Sequence, residues 1–349
     1  MGKPILAVCD SDQLFTETMT GVFREKKGLP FEIHGFSDCE LLKEYLEHDP
    51  VELLLISEGE YERYEEKENV SFMVILRESE DFDEKGHHCI PKYRSASALY
   101  RNVMDLYSAE DQKIPAIRKT ADRPMIFGVY SPVRRCMQTS LALTMGDILS
   151  GKGPCLYLNF EWYSGFEILM GKRFSGNMTD LLYYFQCDRE RFPYRFESLI
   201  HKMGDLDYIP PGNSYVDYCG VTREEWMDFM ATIFSVGHYT YVVMDLTEQV
   251  MGLFDLMKMC DHIVTICLED PISTAKMAQY ELLLEKLGCE EVKEKTYKCR
   301  LPKMTRTGYD PGKMTGTELL REVKRILADL ERTRREREGN REDAYDRQR

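Results

Sequence analysis

The stretch MIFGVYSPVRRCMQTSLAL, residues 125–143, decides the fold of this chain. It begins with an apolar run from Met125 to Val129, which is typical of a buried parallel strand. It ends with Thr139 to Leu143, which has the composition of a helix that packs into a core. In α/β folds the turn between such a strand and helix directs backbone N–H groups and a helix N-terminus at a phosphate. The sequence therefore predicts a turn of the phosphate-binding type here.

The residues of this turn differ from those that phosphate binding requires. A working phosphate loop has glycines, which allow close backbone approach, and a lysine that reaches the β- and γ-phosphates. Laid on the pattern K-G-G-x-G-K-T, residues 133–139 read V-R-R-C-M-Q-T, so that only Thr139 matches. Val133 and Gln138 stand where the two lysines would be. The candidate nucleotide-contacting residues of this degenerate loop are Arg134, Arg135, Gln138, Thr139 and Ser140.

Loss of both lysines bears directly on catalysis. A positive charge at the transferred phosphate is a main source of transition-state stabilisation, so we do not expect efficient ATP hydrolysis. An arginine can still meet a phosphate as a bidentate donor, which leaves weak nucleotide binding open.

Length, charge and cysteine usage limit the class of protein. A chain of 349 residues with 43% hydrophobic content fits two globular domains. The net charge of −14 argues against a nucleic-acid partner. The eleven cysteines have no metal-ligand spacing and read as buried, reduced thiols. With no signal peptide and no apolar run long enough to span a bilayer, we expect a cytoplasmic protein with peripheral membrane contact at most.

Residues 1–107 alternate short apolar runs with helical patterns. Strands are expected at residues 5–9, 31–36, 53–56, 72–76 and 89–90. Strands that alternate with helices at this spacing predict a parallel, doubly wound sheet. Residues 108–124 are polar and contain two prolines, so they are expected to form an interdomain linker.

This first region resembles the receiver domain of response regulators. The acidic pair after the first strand would be Asp10 and Asp12, and the lysine after the fifth strand would be Lys92. Ser57 holds the phosphoacceptor position, where a receiver needs a carboxylate as nucleophile and as a Mg²⁺ ligand. The resemblance therefore implies a pseudo-receiver, an interaction module without phosphorelay. Asp10 and Asp12 are either remnants of a metal site or the residues of a solvated turn or helix cap.

The second region, residues 125–330, continues the alternation of strands and helices. It resembles the ParA/MinD group of ATPases, in which the loop is followed by a strand ending in D-x-D and by a strand ending in an aspartate that supports Mg²⁺ and the attacking water. Here these places are held by Asn159-Phe160-Glu161 and by Asp245. The resemblance marks Asn159, Glu161 and Asp245 as vestigial catalytic positions, and implies ATP or ADP with Mg²⁺ as the ligand if one binds. A structural strand-end carboxylate is the alternative for Asp245.

A receiver-like domain ahead of such a module is the arrangement of TadZ/CpaE-type pilus-assembly proteins. Three further stretches resemble that group: residues 156–166 (LYLNFEWYSGF), 208–211 (YIPP) and 260–288 (CDHIVTICLEDPISTAKMAQYELLLEKLG). The expected fold is thus α/β with two doubly wound parallel-sheet domains, the first receiver-like and the second P-loop NTPase-like of ParA/MinD type. The last predicted helix, 315–330, is expected to pack on the second sheet rather than on a membrane or a partner, and the charged tail 331–349 is expected to be disordered or a frayed extension of that helix.

The resemblance implies a function in scaffolding. The expected role is a non-hydrolysing positioning factor for a Flp/Tad-type pilus or related secretion machine, which contacts proteins of that machine and forms a homodimer. Recruitment to the membrane or a cell pole would follow from it. Two alternatives stay open: a weak ATP-binding or ATP-hydrolysing switch that dimerises on nucleotide, and a signalling adaptor that uses the receiver-like face.

Overall fold

The structure, a computed structural model, describes most of the chain. The described residues are 3–26, 28–64, 69–79, 86–110, 115, 123–134, 136–301 and 318–346, with side chains described through 336 in the last range. Arg135 and most of the predicted linker lie outside them.

Twelve strands occur among the described residues. In chain order they are β1 Ile5–Cys9, β2 Glu32–Phe36, β3 Val51–Ser57, β4 Val70–Arg77, β5 His88–Pro91, β6 Met125–Val129, β7 Cys155–Asn159, β8 His201–Met203, β9 Leu206–Tyr208, β10 Tyr241–Asp245, β11 His262–Ile266 and β12 Thr296–Cys299.

Helices of various lengths alternate with these strands. In the same described ranges they are α1 Gln13–Glu25, α2 Cys39–Leu46, α3 Glu58–Tyr61, α4 Ala96–Ala109, α5 Gln138–Ser150, α6 Phe166–Met170, α7 Met178–Cys187, α8 Phe192–Leu199, α9 Val216–Cys219, α10 Arg223–Val236, α11 Leu253–Met259, α12 Pro271–Lys286, α13 Glu290–Glu294 and α14 Glu318–Asp346.

The first of two compact units is built on a five-stranded parallel sheet. Its strand order is β2-β1-β3-β4-β5, the flavodoxin-like doubly wound order. Strands β1 and β3 are almost wholly buried because helices cover both faces of the sheet, which also explains their continuous apolar runs. In this topology the carboxyl ends of β1 and β3 flank the crevice where ligands bind.

The first unit also includes residues 183–199 and 235–238, which come from much later in the chain. The anchor of the later segment is Tyr194 on α8, which is fully buried in the core of this unit. Its ring lies 5.3 Å from that of Tyr107 and 6.3 Å from that of Phe31, both in tilted or edge-on geometry. The core of the first sheet is therefore completed by a segment that the sequence assigns to the second domain.

Polar contacts hold α8 in place beside this aromatic cluster. The Tyr100 hydroxyl donates a 2.8 Å hydrogen bond to Glu197, and the Lys26 ammonium lies 3.1 Å from the same carboxylate. Arg195 forms an ion pair with Asp105 on α4. The buried Glu197 is thus matched by a donor and a cation, as burial of a carboxylate requires.

The second unit is built on a seven-stranded sheet of order β12-β11-β6-β10-β7-β9-β8. All neighbouring pairs are parallel except β8 with β9. Strand β6, the apolar start of residues 125–143, lies between β10 and β11 in the interior of the sheet. The predicted fold class, α/β with two parallel-sheet units, is confirmed.

The last helix packs on the second sheet as predicted. Its buried face is apolar and consists of Leu319, Val323, Ile326, Leu327 and Leu330. The helix continues to Asp346, which agrees with the alternative of a helical extension for the charged tail. Strong helix formers and close acid–base pairs such as Asp329 with Arg332 favour this extension. No helix among the described residues is long and apolar enough to cross a membrane.

We predict that Tyr194→Ala destabilises the first sheet by about 3–5 kcal/mol, because it leaves a cavity in the aromatic cluster. Hydrogen exchange of the β1 and β3 amides in the full chain measures this loss. Tyr183→Ala is the control, since that side chain lies in the same segment and is 61% exposed. Equal protection in the two variants would show that α8 is not part of this core.

Candidate functional site

The carboxyl end of the first sheet brings Asp10 and Lys92 together. The Lys92 ammonium lies 2.8 Å from the Asp10 carboxylate and 2.7 Å from that of Glu78. The other Asp10 oxygen accepts a 2.8 Å hydrogen bond from the backbone N–H of Asp12. Burial lowers the pKa of Lys92, but the hydrogen bonds to the two carboxylates outweigh it and raise that pKa. Asp10 is therefore neutralised by a lysine of the chain itself.

Asp12 and Ser57 have structural positions at this end. Asp12 caps α1 by accepting a 3.1 Å hydrogen bond from the backbone N–H of Phe15, which fits the helix-cap alternative. Ser57 is buried at the end of β3 and makes no side-chain capping bond to α3. The next carboxylate, Glu58, accepts hydrogen bonds from two backbone N–H groups and from the Ser79 hydroxyl, and these bonds lower its pKa.

The degenerate loop between β6 and α5 keeps the backbone turns that glycine usually serves. Arg134 has φ +60° and Met137 has φ +65°, both in the left-handed region. These are two of the positions where the phosphate-loop pattern has glycine. Each costs a residue with a side chain about 1–2 kcal/mol. The frame of the loop is therefore retained while its glycines are replaced.

Gln138, at the first position of α5, uses its whole amide within the protein. Its Nε2 donates to Asp245 Oδ1 and to the carbonyl oxygen of Leu246, each at 2.7 Å. Its Oε1 accepts a 2.8 Å hydrogen bond from the backbone N–H of Ser131. A lysine has only donors and could not accept the Ser131 bond. Gln138 thus ties the start of the loop to the end of β10.

A chain of hydrogen bonds continues from Asp245 to the neighbouring strand. The Tyr157 hydroxyl donates to Asp245 at 3.1 Å and accepts from Asn159 Nδ2 at 3.0 Å. Asn159 Oδ1 in turn accepts a 2.7 Å bond from the backbone N–H of Glu161. An aspartate at 159 would have no donor for Tyr157 when ionised. The amide is therefore the group that this buried chain of bonds needs.

The pKa values of the two carboxylates of this region are raised above their ordinary values. Burial raises the pKa of Asp245, although hydrogen bonds from Gln138, Thr139 and Tyr157 act in the opposite direction. Burial, and then the charge of Asp245, raise the pKa of Glu161 to about 7. Two neighbouring carboxylates with raised pKa values cannot both ionise without a compensating cation.

A cleft of about 350 Å³ lies above this network. Among the residues that line it are Ser131, Arg134, Gln138, Thr139, Ser140, Glu161, Trp162 and Glu248. Arg134 is paired with Glu248, its Nε 2.9 Å from Oε1, so its guanidinium is already engaged. Trp162 stacks on Tyr215 at 4.8 Å on one side of the opening. The cleft can hold a polar ligand, but its charged groups include one cation and two acids.

The structure brings most predicted site residues of the second unit together. Those lining the cleft are Arg134, Gln138, Thr139, Ser140 and Glu161, with Asn159 and Asp245 buried beneath it. The sequence analysis misses Tyr157 and Glu248. A period-two reading of β7 could have placed Tyr157 on the same face as Asn159. Nothing in the sequence pairs Glu248 with Arg134.

The residues present in the two units do not fit a Mg²⁺ ion. In the first unit, Asp10 is held by Lys92. In the second unit, Asn159 and Gln138 are amides whose oxygens already accept backbone N–H bonds. Among the described residues, no group of three or more His, Cys, Asp or Glu side chains could hold a metal ion.

Comparison with known proteins gives distant likenesses only. No family model and no curated sequence matches the chain. Solved structures with similar folds include a plasmid partition protein of Borrelia burgdorferi B31 bound to AMPPNP, with 12% identity, a TM-score of 0.45, and coverage of 61% of this chain and 100% of that one. A ParA family ATPase of Chlorobium tepidum TLS has 16% identity and a TM-score of 0.41, over 52% of this chain and 74% of that one. Apo McdA of Cyanthece has 13% identity and a TM-score of 0.35, over 57% and 81%. No residue role follows from likenesses this distant.

We predict that acetyl phosphate with Mg²⁺ leaves no acyl phosphate on the first unit, because Ser57 offers no carboxylate and Lys92 holds Asp10. Intact-mass spectrometry before and after hydroxylamine treatment measures it, with an active receiver domain in the same reaction as control. A hydroxylamine-labile phosphate on Asp10, Asp12 or Glu58 would contradict it.

We predict that Glu161 makes stability depend on pH. The folded chain keeps a proton on this carboxyl up to about pH 7, whereas the unfolded chain releases it near the ordinary value of 4.5. The unfolded state therefore binds fewer protons between these values, and the free energy of unfolding falls as the pH rises through them. The difference in urea midpoint between wild type and Glu161→Gln should thus change between pH 5 and pH 7.

Glu224→Gln is the matched control for this experiment, because the Glu224 side chain is 80% exposed. A wild-type minus Glu161→Gln difference that stays constant with pH, as it should for Glu224→Gln, would refute the assignment.

Proposed function

We propose that this chain is a scaffold or positioning factor that does not hydrolyse ATP and acts through protein contacts. The observation that carries the proposal is the Gln138 amide, fixed between the Ser131 N–H and the Asp245 carboxylate. The side chain at the position that would contact a phosphate instead makes hydrogen bonds within the protein. Without a lysine, the charge that develops in phosphoryl transfer has no fixed partner there.

The electrostatics of the cleft support the same conclusion. Arg134 is matched by Glu248, and Glu161 adds a second acid beside the buried Asp245. A triphosphate would bring further negative charge to this region, at a cost unless Arg134 left its partner. Nucleotide binding at this cleft would therefore be weak.

The first unit fits an interaction module, because Lys92 and Asp10 are also bound within the protein and are not free for a phosphoryl ligand. Its lysine is held between Asp10 and Glu78, so the end of the sheet is fixed without a phosphoryl group. The sequence resemblance to TadZ/CpaE-type proteins supplies the proposed context, assembly of a Flp/Tad-type pilus or related secretion machine. In that context the partners are proteins of the machine and a second copy of this chain, and a membrane or cell-pole address follows from those partners.

Two features favour the alternative of a weak nucleotide-dependent switch. The cleft has a volume of about 350 Å³, and the hydroxyl residues Thr139 and Ser140 line it at the start of α5. An adaptor that uses only the receiver-like face remains a third candidate, with Lys92 and its partners on that face.

We predict negligible ATP turnover and no change in sedimenting mass when ATP and Mg²⁺ are added. Turnover is measured by phosphate release, binding by calorimetric titration, and mass by sedimentation equilibrium over a range of salt. A ligand shifts an association equilibrium only by its differential affinity for the two states, so weak binding predicts a nucleotide-independent dimer.

Gln138→Lys and Asp245→Asn are the informative variants for this test. The first restores the family's residue and should bind ATP more tightly than wild type; the second should leave the wild-type baseline of phosphate release unchanged. Turnover that Asp245→Asn abolishes, or a monomer that becomes a dimer only with ATP, would establish the switch instead.

A further inference from the structure

A second, larger pocket borders the Arg134–Glu248 pair. Its volume is about 630 Å³, within the roughly 300–1,000 Å³ typical of small-molecule sites. It is lined by the start of the loop after β6, by the segment that leads into α11, and by α12. Arg134 and Glu248 line both this pocket and the cleft, so the two cavities are neighbours.

The wall of this pocket is aromatic and firmly packed. Tyr280 lies 5.5 Å from Tyr130 and 6.4 Å from Phe254, measured between ring centroids. Tyr130 and Tyr280 are 5% and 7% exposed, and the Tyr280 hydroxyl contacts Met257 Sδ at 3.5 Å. Rings held in this way form a surface that does not need to rearrange before an apolar or aromatic group packs on it.

Each charged side chain described in the wall of the pocket has a partner of opposite charge, except one lysine. Arg134 is neutralised by Glu248, and Asp255 receives two hydrogen bonds from Arg223, at 2.6 and 2.7 Å. Lys276 on α12 also lines the pocket, and within the described part of the chain its ammonium has no ion-pair or hydrogen-bond partner. An unpaired ammonium beside an aromatic wall favours a ligand that carries one negative charge.

We propose that this pocket binds a small amphipathic monoanion, with an aromatic body against Tyr130, Phe254 and Tyr280 and its anionic group at Lys276. The aromatic wall supplies most of the binding and the ammonium selects the charge. Because Arg134 borders both cavities, an anion here also competes with Glu248 for that guanidinium. The two cavities share Arg134 and Glu248, but binding at Lys276 does not require a nucleotide in the cleft.

Two fluorescent probes that differ in charge test the proposal on the full chain. Anilinonaphthalene sulfonate has an aromatic body and one sulfonate, and N-phenylnaphthylamine has the same body without it. We expect Lys276→Gln to weaken binding of the sulfonate by up to about fivefold, the upper end of the range for one exposed ion pair, and to leave the affinity of the amine unchanged. Lys286→Gln, an exposed lysine on the same helix outside the pocket, should affect neither probe.

Filling the pocket provides the second arm. Leu283 is 42% exposed and lines the pocket, so Leu283→Trp adds bulk with little risk to folding and should abolish binding of both probes. Gln279→Trp repeats this test from another part of the wall. Sulfonate affinity equal in wild type and Lys276→Gln overturns the assigned charge contact. Undiminished binding in both tryptophan variants, or no binding of either probe to wild type, overturns the site.

Discussion

The hydrogen bonds of the Gln138 amide fix the loop after β6, on which the candidate site of the second unit depends. One side chain accepts from the backbone at the start of the loop and donates to a buried carboxylate at the end of β10. Asp245 then connects through Tyr157 to Asn159 on β7, so three adjacent strand ends are held by one continuous set of bonds. This network fixes a loop that contains two left-handed residues with side chains, and its bonds offset the strain that they introduce.

The same network explains why two departures from the ATPase pattern occur together. A lysine at 138 and an aspartate at 159 would be oppositely charged, whereas Gln138 and Asn159 are both neutral. The replacement therefore leaves the net charge around Asp245 unchanged and substitutes directional hydrogen bonds for ionic ones. At the carboxyl end of the first sheet, Lys92 is likewise bound within the protein, by Asp10 and Glu78. At both sheet ends, groups that a ligand would need are bound to the protein itself.

Much of this architecture could be predicted from the sequence, because the alternation of apolar runs and helical patterns is a local signal. Both sheets, the loop and the proximity of Glu161 to Asp245 follow from strand ends that meet at one edge. The pairing of Arg134 with Glu248 could not be predicted, because it joins two loops distant in sequence. The same holds for α8, whose amphipathic pattern shows that it packs but not on which sheet. The extension of α14 is supported by an acid–base pair, Asp329 with Arg332, and composition alone does not distinguish such a helix from a disordered charged tail.

The placement of Tyr194 has a consequence for how the chain is made. The first sheet and its helices are complete in the nascent polypeptide by Ala109, but their core stays open until α8 has left the ribosome, about 90 residues later. At about 5–20 residues per second this is a delay of roughly 5–20 s, during which Phe31 and Tyr107 lack their cover. The core of the first unit can therefore close only after an interior strand of the second sheet, β6, has already been synthesised.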